Sequence, residues 1–268
     1  MVIGVAGGTG TVGRHVVREL AGAGHQVRVL TRRAPVETLP GVEHHQVDLA
    51  TGAGLDAALG GAQVVVDAAN RAGTGRQAAP VIVEGTKRLL AAERRAGVVH
   101  HVAISIVGIE LVPISYYAAK VAQERAVRGG GVPWTIVRAT QFHELLEMAC
   151  SIPARAGLLL VPDVLLQPVD SRHIAQVLAA IAPDEPLNAW EQVAGPRVER
   201  FGDLARVWRT RTGRHALAVA LRLPRKVGGP LAAGALVPQA AVTGGPTFAA
   251  WLDARVSEPA TAPTAVTT

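Results

Sequence analysis

The chain of 268 residues is predicted to adopt an α/β fold with a doubly wound parallel sheet. Segments typical of strands and helices alternate through its first half, which is the pattern of parallel strands covered by helices on both faces. The first predicted strand, residues 2–6, leads directly into a glycine-rich turn and a helix, and residues 26–30 form the next strand. This order is typical of the first βαβ unit of a Rossmann-type fold.

The other elements of the first half follow from short apolar runs and from helical periodicity. Strands are predicted at residues 42–48, 63–67, 98–106 and 134–138, and helices at 55–59, 80–96 and 116–128. Because strands and helices alternate, each connection is expected to cross one face of the sheet between parallel strands. The order of elements is that of a nucleotide-binding fold.

Beyond about residue 142 the pattern changes to helices, short strands and proline-bounded loops. A strand is predicted at 165–167, and helices at 169–182 and 201–212, the second with Trp208 on its buried face. Residues 227–252 carry no charge, but their prolines and glycines argue against a membrane-spanning helix. We interpret this stretch as a loop and short helix that are either buried or cover the substrate.

These patterns predict three regions. Residues 1–142 form a dinucleotide-binding Rossmann domain whose last elements are completed by later segments, residues 143–256 form a smaller C-terminal substrate-covering region, and residues 257–268 form a disordered tail.

The glycine-rich turn is expected to bind the pyrophosphate of a dinucleotide. Gly7 and Gly8 permit a tight turn, Gly10 permits close approach of the phosphates, and Gly13 permits close packing of the helix on the strand. The phosphates would accept hydrogen bonds from free N–H groups at the positive end of the helix. The predicted cofactor-binding residues of this turn are Gly7, Thr9, Gly10, Thr11 and Val12.

The end of the second strand favours NADP(H) over NAD(H). An NAD site usually places a carboxylate there, whereas this chain has Arg32 and Arg33, which suit a 2′-phosphate. The alternative is that both arginines are simply solvated. Asp48 is placed to accept from the adenine amino group, with Leu49 beside the ring. Residues after the fourth strand, namely Ala68, Ala69 and Asn70, are expected to pass near the adenosine ribose by backbone contact.

The candidate catalytic residues are Tyr116, Lys120 and Ser105. Tyr116 and Lys120 are four residues apart, so they share one face of a predicted helix, and Tyr117 could take the same role. A nearby ammonium favours the phenolate and so lowers the pKa of a tyrosine, and Lys120 could also bind the nicotinamide ribose. Ser105, at the end of the fifth strand, could hold a substrate oxygen. The alternative is that both tyrosines only pack and that Lys120 only binds cofactor.

Composition excludes several other classes of protein. The net charge is +6, but the 27 basic residues are scattered and aromatic residues make up only 3%, so no nucleic-acid partner is expected. The single cysteine, Cys150, excludes an internal disulfide and a multi-cysteine metal site, and no metal is expected. The first strand begins at residue 2, which leaves no room for a secretory signal, so we expect a cytoplasmic protein without membrane attachment.

Taken together, these motifs resemble the atypical short-chain dehydrogenase/reductase superfamily, and most closely its NmrA-like, NAD(P)H-binding branch. The matching segments are residues 7–13, 84–87, 104–108, 116–120, 138–142 and 167–170. The resemblance implies that Ala139, Thr140, Gln141, Phe142 and His143 lie near the nicotinamide and the substrate. His143 could donate to a substrate carbonyl, although a lone histidine is more often structural. Within 170–175, relatives usually carry an acidic residue where this chain has His173.

The resemblance leaves three functions open. The first is an NADPH-dependent oxidoreductase of secondary metabolism that reduces a small apolar carbonyl, quinone or enone compound. Tyr117, Phe142 and His143 would contact its substrate. The second is a non-catalytic redox sensor that binds NADP(H). The third is an isomerase or cyclase that retains its cofactor. A small molecule is the expected partner, and the chain is expected to be a monomer or a homodimer.

Overall fold

A parallel sheet forms the centre of the structure, a computed structural model that describes residues 1–32, 39–71 and 73–257. In chain order, the strands are β1 Val2–Ala6, β2 Gln26–Thr31, β3 Val42–Gln46, β4 Val64–Asp67, β5 His100–Ile106, β6 Trp134–Ala139, β7 Leu158–Pro162, β8 Leu165–Leu166, β9 Ala189–Ala194, β10 Glu199–Arg200, β11 Leu217–Leu221 and β12 Val242–Thr243. Within the described residues the main sheet has eight strands in the order β12-β9-β6-β5-β4-β1-β2-β3. All neighbouring pairs in it are parallel.

The helices connect these strands and also build the C-terminal region. They are α1 Gly13–Gly22, α2 Leu55–Leu59, α3 Gly75–Ile82, α4 Glu84–Ala96, α5 Ser115–Arg128, α6 His143–Ala154, α7 Ser171–Ile181, α8 Phe201–Thr212, α9 Arg225–Ala232 and α10 Phe248–Ser257. The doubly wound parallel α/β fold predicted from the sequence is therefore confirmed.

The strand order reverses at β1, which pairs with β2 on one side and β4 on the other. In an open parallel sheet, ligands bind at the carboxyl ends of the strands, in the crevice where the order reverses. This geometry places the candidate site between the ends of β1 and β4.

Apolar side chains cover both faces of the sheet. On one face, α1 and α7 bury Val16, Leu20, Ile174 and Leu178 against the strands. On the other, α2, α4 and α5 form a second cluster. Since burial of one such side chain contributes about 1.5–3 kcal/mol, these layers hold the strand ends in fixed positions.

A third apolar cluster lies in the C-terminal region. Its fully buried members include Trp208 from α8 and Phe248 from α10, and residues of α6, α9 and β7 pack around them. β7 pairs with β11, and β8 with β10, in two small separate sheets. This region has its own core, and strands β9 and β12 attach it to the main sheet.

The predicted single helix over 80–96 is wrong in one respect, because the structure has two helices there. α3 begins at Gly75 under a capping box formed by Thr74 and Gln77, and Pro80 lies inside it. The predicted start at Pro80 rests on the apolar positions that follow it, whereas the capping box that starts the first helix lies upstream of them.

Among the described residues, six elements of the C-terminal half were not predicted from the sequence, namely α6, β7, β9, β10, β11 and β12. Strand β9 is half exposed, so its residues lack the continuous apolar run that marked the inner strands. At the C-terminus, α10 ends at Ser257, and the rest of the predicted tail lies outside the described residues. Among the described residues no helix is both long and apolar enough to cross a membrane.

Candidate functional site

The glycine turn between β1 and α1 can be built only with glycine at two positions. Gly7 has a φ of +73°, and a Cβ there would lie 2.7 Å from the carbonyl oxygen of Ala68. A Cβ on Gly13 would lie 2.1 Å from the carbonyl oxygen of Gly7. The amide of Gly10 donates to the same carbonyl at 2.9 Å, which closes the turn. The turn therefore brings the start of α1 to the edge where β1 and β4 end.

The start of α1 suits an anionic ligand. Its N-cap, Val12, provides no side-chain cap, and the first turn contains no acidic residue. The first N–H groups of a helix have no partner within the helix and carry partial positive charge. Thr9, Gly10 and Thr11 are exposed beside them. These features fit the pyrophosphate of a dinucleotide.

Asn70 follows β4 and takes part through its side chain. The Tyr116 hydroxyl donates a hydrogen bond to Asn70 Oδ1 at 2.9 Å. Ala68 and Ala69 lie directly beside Gly7. From the sequence, only backbone contacts are expected of Ala68, Ala69 and Asn70. The structure instead connects the end of β4 to the candidate proton donor.

The two tyrosines have different surroundings. Both are half buried, and their ring centroids lie 6.1 Å apart. Tyr117 packs against the C-terminal apolar cluster, and burial raises the pKa of Tyr117 to about 12. Burial also raises the pKa of Tyr116, and the hydrogen bond to Asn70 opposes that shift only partly. The direction is opposite to the lowering expected from a neighbouring ammonium.

Lys120 is turned towards the sheet. Its Nζ donates to the carbonyl oxygen of Ile104 at 2.8 Å and to Gln123 Oε1 at 2.5 Å. The residue is only 3% exposed. Burial lowers the pKa of Lys120 to about 8, although the Asp67 and Glu124 carboxylates oppose this. Tyr116 and Lys120 thus start from one helix, but the hydroxyl and the ammonium bond to different groups.

Ser105 lies near the end of β5, on the same strand as the carbonyl that holds Lys120. It is buried, and its Oγ has no hydrogen-bond partner among the described residues. An unpaired buried hydroxyl costs free energy, so such a group marks a position where a ligand can bind.

The segment after β6 is fixed by backbone and side-chain hydrogen bonds. Thr140 Oγ1 donates to the carbonyl oxygen of Gln167 at 2.6 Å, and the carbonyl oxygen of Gln141 accepts from the amide of Val169 at 3.0 Å. Ala139 is buried, and Phe142 packs against the core around α1 and α7. Both polar atoms of the buried Gln141 side chain lack a partner among the described residues.

His143 is fully buried at the start of α6. Its Nε2 donates to the carbonyl oxygen of Pro246 at 3.1 Å, and its ring centroid lies 5.5 Å from those of Phe248 and Trp251. Burial lowers the pKa of His143, which keeps the imidazole neutral. These contacts join α6 to the C-terminal segment. They match the structural role that the sequence left open for His143 beside substrate contact.

The adenosine end of the predicted site is described only in part. Arg32 is exposed after β2, and Arg33 lies outside the described residues. Asp48 is half buried, and its Oδ1 accepts from the amide of Ala50 at 2.8 Å. Leu49 packs over Gly85 of α4.

The buried polar residues beneath Lys120 were not predicted from the sequence. Asp67, Thr86 and Gln123 are at most 2% exposed and bond to one another. A carboxylate that ends an apolar run, as Asp67 ends β4, was the available signal, because a charge there needs partners.

These features define a dinucleotide-binding enzyme site: a glycine turn at a switch point, with polar side chains at the same sheet edge. The chain belongs to the NAD(P)H-binding family, which it matches over residues 7–184.

It is similar to the (4-alkanoyl-5-oxo-2,5-dihydrofuran-3-yl)methyl phosphate reductase of Streptomyces griseus, with 36% identity over 215 residues that cover 76% of this chain and 72% of the relative. It also resembles the ceramide reductase of Caulobacter vibrioides, with 36% identity over 142 residues that cover 51% of this chain and 45% of that enzyme.

Solved structures share the fold. An NADPH-dependent quinone oxidoreductase from Escherichia coli, in complex with NADPH, aligns with a TM-score of 0.76 at 16% identity, over 95% of this chain and 99% of the other. A dTDP-glucose 4,6-dehydratase from Streptomyces venezuelae with NAD aligns with a TM-score of 0.75 at 19% identity, over 96% of each chain. At such identities the likeness extends to the fold alone. With its reductase relatives and its family, the protein is an NAD(P)H-dependent oxidoreductase.

Proposed function

We propose that the protein uses NADPH to reduce a small, largely apolar carbonyl, quinone or enone compound. The observation that carries this proposal is the Tyr116–Asn70 hydrogen bond at the sheet edge where the buried Ser105 hydroxyl has no described partner. The reductase from Streptomyces griseus is named for an alkanoyl-dihydrofuranone phosphate, which supports an unsaturated carbonyl compound as the substrate class.

Tyr116 is proposed as the proton donor. NADPH, when bound, supplies the hydride. Reduction places negative charge on the substrate oxygen, and a protonated phenol can neutralise that charge. Since burial raises the pKa of Tyr116, the phenol stays protonated at neutral pH, which suits the direction of reduction. Asn70 orients the hydroxyl by accepting its hydrogen bond before the substrate binds.

Ser105 and Lys120 have supporting roles. The Ser105 hydroxyl would donate to the substrate oxygen and hold it beside Tyr116. Lys120 would bind the nicotinamide ribose rather than tune Tyr116, because its ammonium bonds to Ile104 and Gln123. The Tyr116 hydroxyl bonds to Asn70 and not to Lys120.

The proton donor can be tested by comparing Tyr116→Phe with Tyr117→Phe. Loss of general acid catalysis lowers turnover by about 100-fold or more, so we expect this loss only in Tyr116→Phe, with NADPH binding retained in both variants. NADPH consumption with a panel of quinones, enones and ketones measures turnover. Full turnover by Tyr116→Phe would overturn the assignment. Tight NADPH binding without turnover of any compound by the unaltered protein would favour a redox sensor, and conversion without NADPH consumption would favour an isomerase.

We infer a preference for NADPH from Arg32 and Arg33, which stand where an NAD site has a carboxylate. Replacing both by alanine is expected to weaken NADPH binding by about tenfold and to leave NADH binding unchanged, because only NADPH has a 2′-phosphate. Fluorescence titration with each nucleotide measures this. A variant with both Arg206→Ala and Arg209→Ala, on the exposed face of α8, controls for the loss of two positive charges. Equal effects on both nucleotides would remove the argument for a 2′-phosphate site.

A further inference from the structure

We propose that Gln123, with Asp67 and Thr86, forms a buried network that positions the Lys120 ammonium to bind the cofactor. These three residues do not touch a reacting atom, so they are positioning residues. The inference rests on the proposed function, because it assigns Lys120 to the nicotinamide ribose.

The network is continuous from Lys120 to Asp67. Lys120 Nζ donates to Gln123 Oε1 at 2.5 Å, and Gln123 Nε2 donates to Asp67 Oδ2 at 3.2 Å and to Thr86 Oγ1 at 3.0 Å. Thr86 Oγ1 donates to Asp67 Oδ2 at 2.8 Å. The other carboxylate oxygen, Oδ1, accepts from the amide of Ala69 at 3.1 Å. Residues from β4, α4 and α5 are thereby joined in one cluster.

The direction of each hydrogen bond follows from the chemistry of the groups. The Asp67 carboxylate can only accept hydrogen bonds, so the Thr86 hydroxyl donates its one hydrogen to Asp67. The Thr86 oxygen can then only accept a hydrogen bond from Gln123. The Gln123 NH2 group therefore faces Asp67 and Thr86, and its carbonyl oxygen must face Lys120. A single orientation of the amide satisfies every partner.

This arrangement leaves the ammonium one donor for a ligand. An ammonium has three N–H donors, and among the described residues two of them are used, by Ile104 and Gln123. The Ile104 carbonyl belongs to β5 and precedes Ser105, so the ammonium is fixed near the carboxyl edge of the sheet. The charged groups that face it are Asp67 from β4 and Glu124 from α5.

A purely structural role gives no reason for a lysine here. A buried charged group costs free energy, and well-packed apolar residues commonly replace buried charges without loss of stability. Lys120 is 3% exposed and is held by a network whose members are at most 2% exposed. A cationic group kept at this cost near the carboxyl end of β5 fits a role in binding the cofactor.

The first test measures the titration of Lys120 itself, without cofactor or substrate. The chain has three lysines, so the 13Cε signal of Lys120 can be assigned with Lys120→Arg. We expect a midpoint near the pKa of about 8 in the unaltered protein. Gln123→Met removes an acceptor of the ammonium, and Thr86→Val removes a partner that orients the Gln123 amide. Both should therefore move the midpoint to lower pH by about 0.5 or more. Thr86→Ser keeps the hydroxyl and should keep the midpoint.

Thr135→Val is the matched control. Thr135 is as buried as Thr86, and its hydroxyl also makes two hydrogen bonds, to His100 Nε2 at 2.9 Å and to the amide of Leu187 at 3.1 Å. Thr135 lies near the amino end of β6, whereas Asp67 lies at the carboxyl end of β4. We expect it to lose similar stability and to leave the Lys120 midpoint unchanged. Equal midpoints in Thr86→Val, Gln123→Met and Thr135→Val would overturn the proposal.

The second test measures NADPH binding as a function of pH. Lys120 is charged below its pKa and neutral above it, so the Kd for NADPH should rise as the pH increases through about 8. In Thr86→Val and Gln123→Met this rise should begin at lower pH, and the Kd for NADPH at pH 8 should be about twofold higher than in the unaltered protein, because about half as much Lys120 remains charged there. Unchanged binding together with a moved midpoint would mean that Lys120 does not hold the cofactor, which overturns the proposal. Absence of turnover in the unaltered protein would remove the reductase function but leave both titrations interpretable.

Discussion

At the scale of single residues, two kinds of constraint shape the site. Gly7 and Gly13 are required by backbone contacts shorter than any Cβ tolerates. Tyr116 and Lys120 are placed by hydrogen bonds and burial instead, and burial disfavours the charged form of each. The proposed function requires Tyr116 to be protonated before hydride transfer, and the raised pKa of Tyr116 meets that requirement.

The close approach at Gly13 can be tested with Gly13→Ala. The new Cβ would lie 2.1 Å from the carbonyl oxygen of Gly7 and 2.8 Å from Gly8 Cα, so the turn must open. We expect NADPH binding to weaken by at least 100-fold, because the helix N-terminus moves away from the phosphates. Fluorescence titration measures the binding.

Gly22→Ala, on the same helix, is the control for Gly13→Ala. A Cβ at Gly22 meets nothing within 4 Å, and alanine stabilises helices relative to glycine. Binding should remain unchanged in this variant. Similar binding by the two variants would show that the turn does not need its close contact.

At the scale of secondary-structure elements, the site depends on close contacts between the segments that follow the strands at the sheet edge. A Cβ on Gly75 would lie 2.2 Å from the carbonyl oxygen of Ser115, so α3 and α5 begin in close contact. This contact fixes the loop with Asn70 relative to Tyr116. On the other side, Gly108 after β5 approaches Ala235 of the C-terminal region equally closely.

Gly108→Ala is expected to detach the segment after α9 from the sheet. The residue has a φ of +71°, and its Cβ would lie 1.8 Å from the carbonyl oxygen of Ala235. We expect faster amide hydrogen exchange in residues 231–237 and a higher KM for the substrate, with NADPH binding retained.

Gly24→Ala is the control for Gly108→Ala, because it introduces the same kind of backbone strain without a close contact to another segment. Gly24 has a φ of +82°, but a Cβ there meets nothing within 4 Å. Both substitutions cost about 1–2 kcal/mol of backbone strain. Only Gly108→Ala should alter exchange near residue 235, and the same pattern in both variants would contradict a packing contact.

At the scale of the whole molecule, two structural units share one sheet. The switch point and glycine turn belong to the first half of the chain, whereas all but one of the buried members of the third apolar cluster, Val112, belong to the second. Strands β9 and β12 come from the second half but extend the main sheet. The C-terminal region is therefore held both by its own core and by strand pairing.

Trp208→Ala tests the independence of that C-terminal core. The side chain is 1% exposed, and truncation of such a residue costs about 3–5 kcal/mol. We expect this loss in chemical unfolding, with hydrogen exchange accelerated first in α6, α8 and α10. Trp190→Ala is the control, because Trp190 is 44% exposed and stacks on Arg138 at 4.5 Å. It should cost about 1 kcal/mol. Equal acceleration throughout the sheet in Trp208→Ala would mean that the two cores unfold together.

The amino-acid sequence by itself determined the parallel sheet, the glycine turn and the family of this protein. Those features depend on local signals: apolar runs set the inner strands, and Gly7 and Gly13 are required by the turn that contains them. Tertiary structure alone decided which groups meet. It placed Asn70 on Tyr116, turned Lys120 towards Gln123, buried His143 under Pro246 and added β9 and β12 to the sheet. Each of these contacts joins residues far apart or fixes a side-chain direction, and such choices depend on packing across the whole fold rather than on sequence spacing.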